Sequence, residues 1–129
     1  MKLGKKPNNY YGFAWELRKD DYRHPKFKEQ RKERGFDDTE TWCLDSTITS
    51  FVLPRLERFK ELNICLWIWP DKEAGITEEM ARKETDEILD KMIAAFQYMH
   101  DETNSFEPEP DYVQEGLQLF ALHFRRLWW

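Results

Sequence analysis

At 129 residues the chain supports a single domain with a real core, and a composition 40% hydrophobic and 16% aromatic excludes global disorder. Charged residues make up 35% of the chain, which predicts a densely charged, water-facing surface. The net charge of −5 conceals an asymmetry, since residues 1–36 hold 11 Lys and Arg against 5 Asp and Glu, while residues 37–129 hold 9 against 20. A basic head on an acidic body can fold back on itself, meet an acidic partner or take a phosphate-bearing ligand.

Residues 1–24 are aromatic without a sustained period, with Tyr10, Tyr11, Phe13 and Trp15 close together, and read as an arm laid on the core or on a neighbouring subunit. A short basic helix is predicted from Pro25, a favourable first helical residue, to Arg34. Glu29 and Glu33 interleave its bases as on a solvated helix face, so nucleic acid is not the favoured partner. Gly35 reads as the stop of this helix.

Asp37 with Glu40 forms a D-x-x-E capping box and predicts one long helix from Asp37 to Leu62. Trp42, Leu44, Ile48, Phe51, Val52, Leu56, Phe59 and Leu62 fall within one arc of it, the pattern of a core-facing helix. Asp45 and Arg55 fall inside the same arc. Ten residues separate them, roughly 15 Å along a helix, so each needs a partner from elsewhere. Pro54 removes one backbone donor and predicts a kink.

NICLWIWP, residues 63–70, is a short β-prone apolar run, either a segment covering the core or an edge pairing with another copy. Thr77 reads as the N-cap of a helix reaching about His100, with Ile76 and Ala81 as a hydrophobic staple. Ala81, Ile88, Leu89, Met92, Ala95, Phe96 and Met99 share its apolar arc. Residues 102–111 break the pattern, and a last helix is expected from near Asp111. Its core face carries Val113, Leu117, Phe120, Ala121, Phe124, Leu127 and Trp128, with Gly116 at the margin where another backbone can approach. Leu122 and Trp129 project from the opposite face, which predicts a subunit contact there unless the aromatic arm covers it.

Cys43 and Cys65 are the only cysteines and form no CxxC pair, which argues against a disulfide framework or a zinc site and fits a reducing cytosol. No apolar run approaches the roughly 20 residues of a membrane span, and the first residues lack the apolar centre of a secretory signal. The expectation is a cytoplasmic protein without membrane contact. Phosphate-loop, dinucleotide, metalloprotease and serine-hydrolase signatures are absent, and His24, His100 and His123 are scattered one per segment, so no enzyme, metal or cofactor is expected. Asp37, Asp38 and Glu40 are explained as helix N-terminal residues, which weakens a two-carboxylate hydrolase that would add Asp45.

The remaining candidates are polar groups in an aromatic setting. Trp42 is placed to stack on a flat ring, Asp45 and Thr49 to bond its amino groups, and Arg55 or Arg58 to pair with a phosphate. The competing reading makes Asp45 architectural, bonded to a neighbouring helix or paired with Arg125 or Arg126.

The blocks Asp38, Trp42, Leu44 and Asp45, then Pro54 to Leu56, Asp90 to Ile93, and Gly116 to Phe120 with Leu127 and Trp128 resemble a group of small tailed-bacteriophage proteins. The similarity spans roughly Gly35 to Trp129 and leaves out the N-terminal arm and the LWIWP run. It implies a setting, a phage gene product in the cytoplasm of a bacterial host, and no mechanism. These readings together predict an all-α protein, one domain over residues 1–129, with a basic, aromatic arm (1–35) and a helical core (36–129). The core is expected to be a three-helix bundle with a kinked long helix. The expected role is that of a homo-oligomeric, non-catalytic binder sequestering a nucleotide-type defence signal. The alternatives are an inhibitor of a host protein and a minor virion or assembly component.

Overall fold

The computed structural model describes residues 3–101 and 108–129, and among these the regular structure is helical, with no β-strand beyond one isolated bridge between Asp71 and Ile76. Its helices are α1 (His24–Arg34), α2 (Leu44–Leu62), α3 (Glu78–Asp101) and α4 (Asp111–His123), with 3₁₀ turns at Ala14–Glu16, Asp38–Thr41 and Phe124–Arg126. The chain divides into two compact units, Met1–Phe51 and Val52–Trp129, and α2 runs from one into the other. Residues 36–51 group with the N-terminal segment in the first unit.

In the first unit α1 starts with Pro25 in its opening turn and ends at Gly35, whose φ of 85° is open to glycine without a Cβ clash and whose N–H closes on the Arg31 carbonyl. The capping box forms as expected: Asp37 accepts from the Thr39 N–H, and Glu40 accepts from the Asp37 N–H at 2.9 Å. It caps a 3₁₀ turn, however, and the single helix expected over 37–62 is broken ahead of Leu44. The reason lies in tertiary bonds. Asp37 and Thr39 are committed to Tyr10, Phe13 and Arg31, and the tighter turn is the one that serves them.

Asp37, fully buried, accepts from the Tyr10 hydroxyl, the Thr39 hydroxyl and the Arg31 guanidinium, each at 2.5 Å, besides the Thr39 N–H. Burial opposes its ionisation, but the hydrogen bonds from Thr39, Tyr10 and Arg31 outweigh it and hold the carboxyl below its usual range. Burial, with Asp37 as its bonding partner, pushes the Tyr10 phenol up to about 12. Trp42 lies parallel to Phe13 at 6.4 Å and edge-on to the buried Phe27 at 6.1 Å.

In the second unit Leu53 and Leu56 of α2, Leu89, Met92 and Phe96 of α3, and Trp67 form the buried core. Phe120 of α4 meets Phe96 edge-on at 5.0 Å. The close approach expected at Gly116 is present: a Cβ there would run into the Lys91 carbonyl and the Ala95 side chain across the α3–α4 crossing. Thr77 caps α3 through its hydroxyl, which accepts from the Met80 N–H at 3.1 Å. The expected break over residues 102–111 lies largely outside the described residues.

The apolar arc read along residues 42–62 serves two packing environments, because α2 crosses between units at Phe51. Leu53 and Leu56 are buried, whereas Trp42, Leu44, Ile48 and Phe51 remain about half exposed. Ala121, Phe124 and Trp128, expected on the core face of the last helix, are exposed as well. The α-helix stops at His123, so the 3.6-residue period no longer governs residues 124–129.

Candidate functional site

Residues 63–70 form no strand, but they are fastened at several points. The Asn63 side chain accepts from the Cys65 N–H and donates to the Cys65 carbonyl, both at 3.0 Å, folding the chain into a tight turn as it leaves α2. Arg82 of α3 donates to the Asn63 and Ile64 carbonyls at 3.1 and 2.8 Å. About one turn further along α3, the buried Thr85 hydroxyl donates to the Ala81 carbonyl and accepts from the Trp67 N–H at 3.1 Å. These bonds supply the backbone partners that a sheet would otherwise provide.

Opposite this segment stands the C-terminal end of the chain. Ile64, Cys65, Leu66, Trp67, Trp69, Pro70, Arg126 and Trp128 line a groove of about 810 Å³. Trp69 is 81% exposed and Trp128 66% exposed, so large flat apolar surfaces face solvent beside a guanidinium. Trp67 is buried with its Nε1–H lacking an acceptor among the described residues. His123 is buried too. Burial and then the nearby Arg126 push the His123 imidazole below its usual pKa.

The exposed Trp69 and Trp128 and one arginine around a concave surface provide stacking faces for a planar ring and a fork of donors for an anionic group. Among the described residues no three His, Cys, Asp or Glu side chains are grouped to hold a metal ion, and both cysteines are free thiols.

None of the five ligand-binding residues proposed from the sequence lines this groove. Trp42, Asp45 and Thr49 belong to the first unit, and Arg55 and Arg58 to the second. Trp42 is flanked by Phe13 and by the Arg23 guanidinium at 5.5 Å. Asp45 is exposed in the first turn of α2, where water solvates it without a protein partner being required, and Thr49 is buried. Arg55 is exposed, and Arg58 pairs with Glu61 at 2.7 Å. Leu122 and Trp129, the expected subunit-contact residues, are 74% and 60% exposed. The signal for the groove is tryptophan density at 67, 69 and 128, in two segments that the sequence presents only as cover and as core face.

Comparison with protein-family models, curated proteins and solved structures finds no match to the chain. Among the described residues no helix is long and apolar enough to cross a membrane.

Proposed function

We propose that the protein is a non-catalytic binder that sequesters a nucleotide-type small molecule, held in the groove between residues 64–70 and the C-terminal segment. The observation that carries this reading is the pairing of solvent-facing Trp69 and Trp128 with Arg126 across one concave surface. A base stacks on the indoles, and the guanidinium takes the phosphate. The unpartnered Trp67 indole donor adds to the argument, because a buried N–H without an acceptor costs about 1–3 kcal/mol and a ligand oxygen reached by a small adjustment would recover it. In this reading α2, α3 and α4 form a three-helix scaffold, the N-terminal segment is an arm, and Leu122 and Trp129 join copies of the chain. The setting implied by the phage resemblance makes the bound molecule a host defence signal in the bacterial cytoplasm.

The test combines native mass spectrometry of protein purified from infected cells with titration of purified protein by adenosine monophosphate, followed by tryptophan fluorescence. A retained nucleotide mass, or quenching that Arg126→Ala and Trp128→Ala each abolish, supports the reading. No retained mass together with quenching unchanged in both variants overturns it. An inhibitor of a host protein is the second reading, favoured by the half-exposed row Leu44, Ile48 and Phe51 on α2.

A further inference from the structure

We infer that the first unit carries a separate site for the phosphoryl groups of a small polyphosphate, in the groove between α1 and Trp15. This site does not depend on the tryptophan-lined groove, and all of its residues lie within Met1–Phe51. His24, Lys28, Arg31 and Lys32 follow one another at spacings of four, three and one, which sets them along one side of α1. They line a groove of about 830 Å³ closed by Trp15, and no carboxylate lines it. Glu29 and Glu33, which argued from the sequence against nucleic acid as a partner, are not among its walls.

Two further features point to an anion. Arg31 is held in place: its NH1 bonds the buried Asp37, and its guanidinium carbon sits 4.9 Å from the centre of the Trp15 ring. Asp37 balances that charge, so the excess positive charge belongs to Lys28 and Lys32, neither of which makes an ion pair among the described residues. Second, the Trp15 Nε1–H is buried without an acceptor among the described residues, an orphaned donor on a residue of the groove wall.

Two lysine ammonium groups and a pre-oriented guanidinium in one concavity suit a compact, multiply charged phosphate better than a single carboxylate. A duplex would need an extended basic surface and would meet the Glu29 and Glu33 side of the same helix.

The full chain is titrated with inorganic pyrophosphate at low ionic strength, by calorimetry and by the indole N–H resonances, with Trp15 assigned through Trp15→Phe. Lys28→Glu/Lys32→Glu is compared with the charge-matched Lys72→Glu/Lys83→Glu, which changes only the second unit. The expected result is binding that moves the Trp15 indole resonance, persists in the control and in Arg126→Ala, and weakens at least about tenfold in the groove variant. Absence of binding, equal weakening in the control, or movement of a different indole overturns the proposal. Binding of a single-stranded oligonucleotide but not of pyrophosphate overturns it as well. Because Arg126→Ala tests the other groove, failure of either reading is seen separately.

Discussion

The imidazole of His123 lies parallel to the indole of Trp67, with ring centroids 4.8 Å apart and planes 8° apart. His123 ends α4, while Trp67 belongs to the segment tied to α3 through Thr85, so the stack joins the two walls of the tryptophan-lined groove. Arg126 stands 3.3 Å from His123 Nδ1, and since a guanidinium can only donate, Nδ1 accepts and the neutral ring carries its proton on Nε2.

The stack is therefore expected to be acid-sensitive. The His123 pKa is lowered by burial and by Arg126, so the unfolded chain takes up this proton more readily than the folded one. The corresponding stability is present above the unfolded value of about 6.5 and is lost as pH falls through the folded value. Thermal melts of wild type and His123→Gln, from about pH 7.5 down to about pH 5, should converge on acidification as the wild type loses an advantage that the variant never had. Parallel pH profiles would show that His123 does not titrate in this way.

Gly116 offers a purely steric test. Gly116→Ala gains helix propensity of up to about 1 kcal/mol, but its Cβ meets the Lys91 carbonyl, and backbone cannot rotate aside as a flexible side chain can. Overpacking at such a site costs typically about 1–3 kcal/mol, so the net change is a loss of stability. Urea unfolding of the two proteins measures it, and an alanine variant as stable as wild type would mean that α3 and α4 separate at no cost.

The all-α class, the capping box, the Gly35 stop, the Thr77 cap and the Gly116 approach are legible in the sequence because each is local or rests on helical periodicity. The grooves are not. One depends on a non-periodic segment held by Arg82 and Thr85, residues whose role emerges only once α3 is set beside it. The other depends on Trp15, a residue of the irregular arm, meeting α1. Asp45 stays in water for a related reason, since the arc that contains it does not become core at that end of α2. Asp37→Asn, not Asp45→Asn, is where a carboxylate substitution should be felt.

Asp37→Asn leaves Arg31 and the Tyr10 and Thr39 hydroxyls facing an amide that can accept fewer bonds. With Arg31 still partly exposed, a loss of about 3 kcal/mol is expected, the lower end of the range for breaking a buried pair. The pH dependence has two signs. The lowered Asp37 pKa gives stability present above the unfolded value of about 4 and lost as pH falls through the folded one. The raised Tyr10 pKa gives stability present below about 10 and lost between there and about 12. Tyr10→Phe should lose less stability than wild type over that alkaline window, and denaturant melts on either side of it measure the difference. An identical alkaline loss in both proteins would remove Tyr10 from the account.

The C-terminal segment is expected to drive self-association. Leu122, 74% exposed, and Trp129, 60% exposed, lie close in sequence to Phe124 and Trp128, which are 59% and 66% exposed. Four large apolar side chains facing water within eight residues of chain are a liability for a monomer, and a symmetric contact that pairs this surface with its own copy removes it. Sedimentation equilibrium at tens of micromolar should show a dimer or larger species, reduced to monomer by Leu122→Glu/Trp129→Glu. That variant leaves Arg126 and Trp128 in place, so its nucleotide binding separates the two roles of the C-terminal segment. Binding retained in the monomer makes the groove complete within one chain, and binding lost with association means that a second copy completes it. A wild-type protein that sediments as a clean monomer would leave these side chains to a different partner.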